Sequence, residues 1–104
     1  MAVAARMKLP TAIVLGVDTP IGLTVIRELG RRGVPVHGIG RNSDALGRTS
    51  RYLSGFSLRP EGPTLAQWLP ERIFHTGARA LFAIAEDDLV ALAALPEEIE
   101  GCRI

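Results

Sequence analysis

The chain has 104 residues, which is room for one domain and no more. Its 47% hydrophobic content and mean hydropathy of +0.22 exclude a disordered, solvating segment. A formal net charge of +1, with arginines scattered among acids, excludes the one-sided basic face of a dedicated nucleic-acid binder.

The single cysteine, Cys102, has no partner for an internal disulfide and no metal-ligand spacing, so a reducing cytoplasm is the expected compartment. No apolar run is long enough to span a membrane. Residues 1–10 contain Arg6 and Lys8 but lack the apolar stretch of a signal peptide, and they read as a disordered leader. The folded domain is expected over residues 11–104.

Thr11–Val17 (TAIVLGV) reads as a buried parallel strand, because it is short, apolar and rich in β-branched residues. Thr19 then supplies an N-cap and Pro20 a first helical position, where a missing N–H costs nothing. The helix runs to about Arg32 and stops at Gly33, a left-handed C-cap. Gly22, Val25, Ile26 and Leu29 form its inner stripe, and Arg27, Glu28, Arg31 and Arg32 face water. Val34–Gly40 is the next strand, giving a right-handed β-α-β unit.

Arg41–Arg51 is polar and glycine-punctuated, hence a loop or short helix, and Tyr52–Leu58 is a weaker third strand. Thr64–Gly77 reads as a second helix with Pro70 kinking or splitting it. Ala80–Ala85 is a fourth strand and Asp88–Leu95 a third helix. A fifth strand begins at Cys102, where the chain stops, as if cut. The expected fold is α/β, a Rossmann-like open parallel sheet of about four strands with helices on both faces.

Gly16-Val17-Asp18-Thr19-Pro20-Ile21-Gly22 is the most informative segment. One reading is a phosphate loop at a helix N-terminus. The other is structural: Gly16 permits a tight turn and Gly22 a close helix–sheet approach. Asp18 would face an incoming phosphate with negative charge and Pro20 removes a donor, so the structural reading is favoured. Beyond strand 2, Arg41 stands where NAD-binding proteins carry an acid. It suits the 2′-phosphate of NADP, or is a solvated loop residue. His37 reads as a packed histidine, and His75 as a helix C-terminal charge. Glu86-Asp87-Asp88, beyond strand 4, lies at the edge where open α/β sheets bind ligands. The competing reading is that Asp87 or Asp88 caps the following helix.

Lys8 is the only lysine, and it lies in the leader. There is no Walker A loop, no lysine four residues after Tyr52, and no Ser-His-Asp or Cys-His arrangement, so no catalytic set is present.

Taken in order, three stretches resemble the pre-ATP-grasp domain that precedes the catalytic domains of ATP-grasp ligases, in the carboxylate–amine ligase and carbamoyl-phosphate-synthase-like branch. They are AIVLGVDTPIGLTVIRELGRRGVPVHGIGRN (Ala12–Asn42), TSRYLSGF (Thr49–Phe56) and AIAEDDLVALAALPEEIEGCRI (Ala83–Ile104). Where family members often read Thr-Ser-Asp-Glu, this chain has Ile84-Ala85-Glu86-Asp87.

The resemblance implies a non-catalytic domain that walls a small-molecule substrate cleft, with Gly16, Asp18, Thr19, Gly22, Arg41, Glu86 and Asp87 facing it. ATP and Mg²⁺ are then held by C-terminal ATP-grasp domains, the partners missing from this sequence. The reaction the resemblance implies for the whole protein is activation of a carboxylate as an acyl phosphate and its ligation to an amine. An isolated piece of this kind is expected to self-associate. Two alternatives stand beside it: an NADP-binding domain of an extended short-chain reductase, and a stand-alone interaction or regulatory module.

Overall fold

Strand β1 (Ala12–Leu15) is buried along its whole length, as a central parallel strand covered on both faces must be. The structure, a computed structural model, describes residues 9–42 and 48–104. The expected leader therefore lies outside the described residues except for Leu9 and Pro10, as does the middle of the 41–51 loop.

Helix α1 (Pro20–Arg31) follows β1 with Thr19 as N-cap and Pro20 in its first turn. It ends through Arg32 and a left-handed Gly33 at φ 82°. Strand β2 (Val36–Gly40) and strand β3 (Leu53–Leu58) come next. Helix α2 (Leu65–Thr76) starts where the Thr64 N–H donates to Gln67 Oε1 at 2.7 Å and ends at left-handed Gly77. Pro70 lies inside α2, which remains one helix and is not split as the sequence suggested. Strand β4 (Ala80–Ala83) leads into helix α3 (Glu86–Ala93).

The end of the chain differs from the expected four strands with a fifth just beginning. Two-residue strands β5 (Glu98–Ile99) and β6 (Cys102–Arg103) make an antiparallel hairpin, giving six strands in the order β3-β2-β1-β4-β6-β5. β6 continues the sheet in parallel beside β4, with Ala80 opposite Arg103. All other pairings, β3 with β2, β2 with β1 and β1 with β4, are parallel.

From β1 the chain goes first to β2 and β3 on one side, then crosses to β4 on the other. Crossovers of the same hand in opposite directions put α1 and α2 on opposite faces. Two cores result. Ile13, Leu15, Ile39 and Leu81 pack with Leu65, Trp68, Leu69 and Ile73 of α2, and with Cys102. Val14, Val17 and Val36 pack with Ile26 of α1. The reversal between β1 and β4 is the switch point at which open α/β sheets leave a crevice beyond their carboxyl ends.

Candidate functional site

A cleft occupies that crevice. It is bounded by Gly16, Asp18 and Thr19 after β1, by Gly40, Arg41 and Asn42 after β2, and by Arg59 after β3. Ala85 and Asp88 close it from the β4 side. Its volume is about 170 Å³, below the roughly 300 Å³ at which pockets for drug-sized ligands begin.

The glycine loop is organised from within. Gly16 turns at φ 101°, a conformation that glycine adopts without steric cost. The Thr19 hydroxyl donates to Gly16 O at 3.1 Å and accepts from the Gly22 N–H at 3.0 Å, so one side chain closes the turn and caps α1. The Leu23 N–H goes to Thr19 O, and the Gly16 N–H to Ile39 O. Gly22 is buried beneath the loop. A Cβ on it would sit 2.2 Å from Gly16 O, so its lack of a side chain serves close packing.

Asp18 points across to the end of β2. Its carboxylate accepts the Arg41 N–H at 3.2 and 3.0 Å and the Asn42 N–H at 3.3 Å. Those two N–H groups extend past the end of a strand, where the ladder no longer supplies partners, and the carboxylate takes the ladder's place. A pyrophosphate laid on this loop would meet the Asp18 charge, and the Gly16, Val17 and Gly22 N–H groups are already engaged.

The Arg41 guanidinium spans the cleft mouth to Asp87 Oδ2 at 3.3 Å and Asp88 Oδ1 at 3.9 Å. Asp88 is 2% exposed, and Arg59 Nη2 meets its Oδ1 at 2.7 Å. The Arg59 guanidinium also lies 5.8 Å from the Trp68 ring centroid, over a buried indole whose N–H has no partner among the described residues. A buried carboxylate persists where a charge partner and hydrogen bonds replace its water, and Arg59 is that partner.

Of the residues singled out in the sequence, Gly16, Asp18, Thr19 and Arg41 line the cleft. Gly22 lies beneath it. Asp87 holds Arg41 at the rim, and Glu86 is exposed with no ion pair among the described residues. The capping role considered for Asp87 and Asp88 is not observed. The N-cap of α3 is Ala85, and the acids occupy the first turn, where the helix dipole favours them. Asp87 Oδ1 instead accepts the Asp88 N–H at 3.0 Å.

Arg59 and Asn42 were not among the sequence candidates, and Asp88 was singled out only together with Glu86 and Asp87, without its partner Arg59. Arg59 directly follows a strand, as Arg41 does, so the same carboxyl-end rule would have found it. His37 is half-buried in β2, 2.7 Å from Ser57 Oγ. Its burial, then the Arg72 charge, hold its pKa below the ordinary 6.5.

Fold and site together define an open, mostly parallel α/β domain, Rossmann-like, with a small charged cleft at its topological switch point. No helix among the described residues is long and apolar enough to cross a membrane. No protein-family model matches the chain, and no curated protein matches it.

Proposed function

We propose that the chain is the non-catalytic, substrate-side amino-terminal domain of a cytoplasmic ATP-grasp ligase-like protein. Its cleft edge forms one wall of a site that C-terminal ATP-grasp domains complete. The whole protein activates a small-molecule carboxylate as an acyl phosphate and joins it to an amine.

The observation that carries this reading is the internal pairing of the cleft. Asp18 is taken up by the backbone of Arg41 and Asn42, and Asp88 by Arg59. A surface whose charges are answered from within the chain is suited to being a wall, and among the described residues it pairs no nucleophile with a base. Of the loop donors, the Gly16, Val17 and Gly22 N–H groups are bonded within the chain. On this reading ATP and Mg²⁺ belong to the C-terminal domains, and no step through them is assigned to this domain.

Two measurements test the proposal. Calorimetric titration of the chain with NADP should show no binding, and a micromolar affinity would replace the ligase reading with the reductase one. The DNA beyond the Ile104 codon should continue in frame into a domain with a lysine-bearing strand and a late Glu/Asn pair for magnesium. An immediate stop codon would leave a stand-alone module and overturn the proposal.

A further inference from the structure

The opposite end of the molecule carries a second concavity, between the outer side of α1 and the turn that leads into β3. Its volume is about 350 Å³. Arg27 and Arg31 line it from α1, and Arg51 and Tyr52 from the turn, with the hydroxyls of Thr49 and Ser50 between them. The close approach of the two segments depends on Gly30, where a Cβ would lie 2.4 Å from a Tyr52 ring carbon.

Among the described residues, all the charged side chains lining this groove are arginines. Arg51 Nη2 donates to Tyr52 Oη at 3.1 Å, and its guanidinium lies 5.1 Å from the Tyr52 ring centroid. Arg31 meets Glu28 at 3.3 Å, on the exposed side of α1. Among the described residues, neither Arg27 nor Arg51 has a carboxylate within ion-pair distance. This distinguishes them from Arg41 and Arg59 at the other end, whose charges are answered by Asp87 and Asp88.

We propose that this groove binds the phosphate group of a small phosphorylated ligand. Guanidinium groups present paired donors that match phosphate oxygens, and charge-assisted bonds of this kind are stronger than neutral ones. Ser50 Oγ accepts the Tyr52 N–H at 3.2 Å, which leaves its own proton for a ligand oxygen. The groove already favours an oxyanion at this place: hydrogen bonding to Arg51, then to Arg31, lowers the pKa of the Tyr52 phenol below its ordinary 10.0. Of the neighbouring charges, Glu28 pairs with Arg31 and Arg32 on α1, and Arg48 lies over the Phe56 ring. Glu28, paired with Arg31 and Arg32 on the exposed side of α1, would repel a nucleic-acid backbone running on along the helix, so the ligand is compact. The proposal is independent of the ligase reading, because it uses none of the cleft residues.

Tyr52 is the chain's only tyrosine, so phenolate absorbance reports on the groove directly. Inorganic phosphate should raise the midpoint of that titration well beyond the effect of sodium chloride at equal ionic strength. At neutral pH, calorimetry should show saturable binding of inorganic phosphate. Arg27→Gln and Arg51→Gln should each weaken that binding about tenfold, the loss of one charge-assisted hydrogen bond. Arg103→Gln, on the far strand, should leave it unchanged. Circular dichroism of each variant establishes that the fold is kept. Equal shifts from chloride and phosphate, no saturable binding, or full affinity in the Arg27→Gln/Arg51→Gln double variant would overturn the proposal.

Discussion

Gly22 shows how one absent side chain couples the β1 loop to the helix that follows it. A Cβ there would lie 2.2 Å from Gly16 O, 3.0 Å from Gly16 C and 3.1 Å from Val17 Cα, all backbone atoms of a turn held by Thr19. Backbone cannot swing aside as a side chain can, so Gly22→Ala should lower stability by about 3 kcal/mol, at the upper end of overpacking costs. Gly33 is the useful comparison. It sits at φ 82°, and a methyl group there would have nothing within 4 Å of it, so Gly33→Ala should cost only the left-handed strain of about 1 kcal/mol. Urea denaturation of the two variants decides the matter. If Gly22→Ala is no worse than Gly33→Ala, close packing is not the reason for glycine at position 22. The sequence left Gly22 with two readings, a phosphate turn and a packing contact, and only the position of Gly16 O distinguishes them. For Asp88 the difficulty was different. Its buried partner, Arg59, follows another strand, and no local spacing links the two.

At the scale of elements, the two crossover helices were legible because their punctuation is local. Thr19-Pro20 and Gly33 bound α1, and Thr64 and Gly77 bound α2. The terminal hairpin was not legible, since two-residue strands carry no periodicity. Its turn nevertheless has a physical signature. Glu100 and Gly101 both have positive φ, 51° and 79°, as a two-residue hairpin turn of the type I′ class requires. Glutamate is a poor choice at such a position, and asparagine a good one. Glu100→Asn should therefore stabilise the chain by about 1 kcal/mol, seen as a higher urea midpoint. The gain reaches the core because Cys102, just after the turn, is fully buried beside Ile99. An unchanged midpoint would mean that the hairpin does not fold cooperatively with the rest of the sheet.

At the scale of the molecule, the two faces of the sheet are covered unequally. α2 and α3 share one face, where Leu92 and Leu95 join the larger core. On the other, α1 packs over β1 and β2, and its core holds no residue of β6. Phe82 of β4 stands in register with Val14, on α1's side of the sheet, yet is 41% exposed. It adjoins Leu9, itself 44% exposed, at an apolar hollow of about 250 Å³ that also includes Ala12, Leu29, Val34 and Ala80. Contiguous apolar surface of this kind marks an interface or a tendency to associate. In the proposed ligase, the partner domains are what remove it from water. Without them the chain should self-associate. Sedimentation should then give a mass above the 11.2 kDa monomer that rises with concentration. Phe82→Lys places a charge in the middle of the patch, where burial against a second apolar surface is unfavourable, and should return the chain towards monomer with its circular dichroism unchanged. A parent chain that stays monomeric at high concentration would show that this face is not sticky enough to need a partner. A Phe82→Lys variant that associates as strongly as the parent would place the contact elsewhere, with the open edge of β3 the next surface to test.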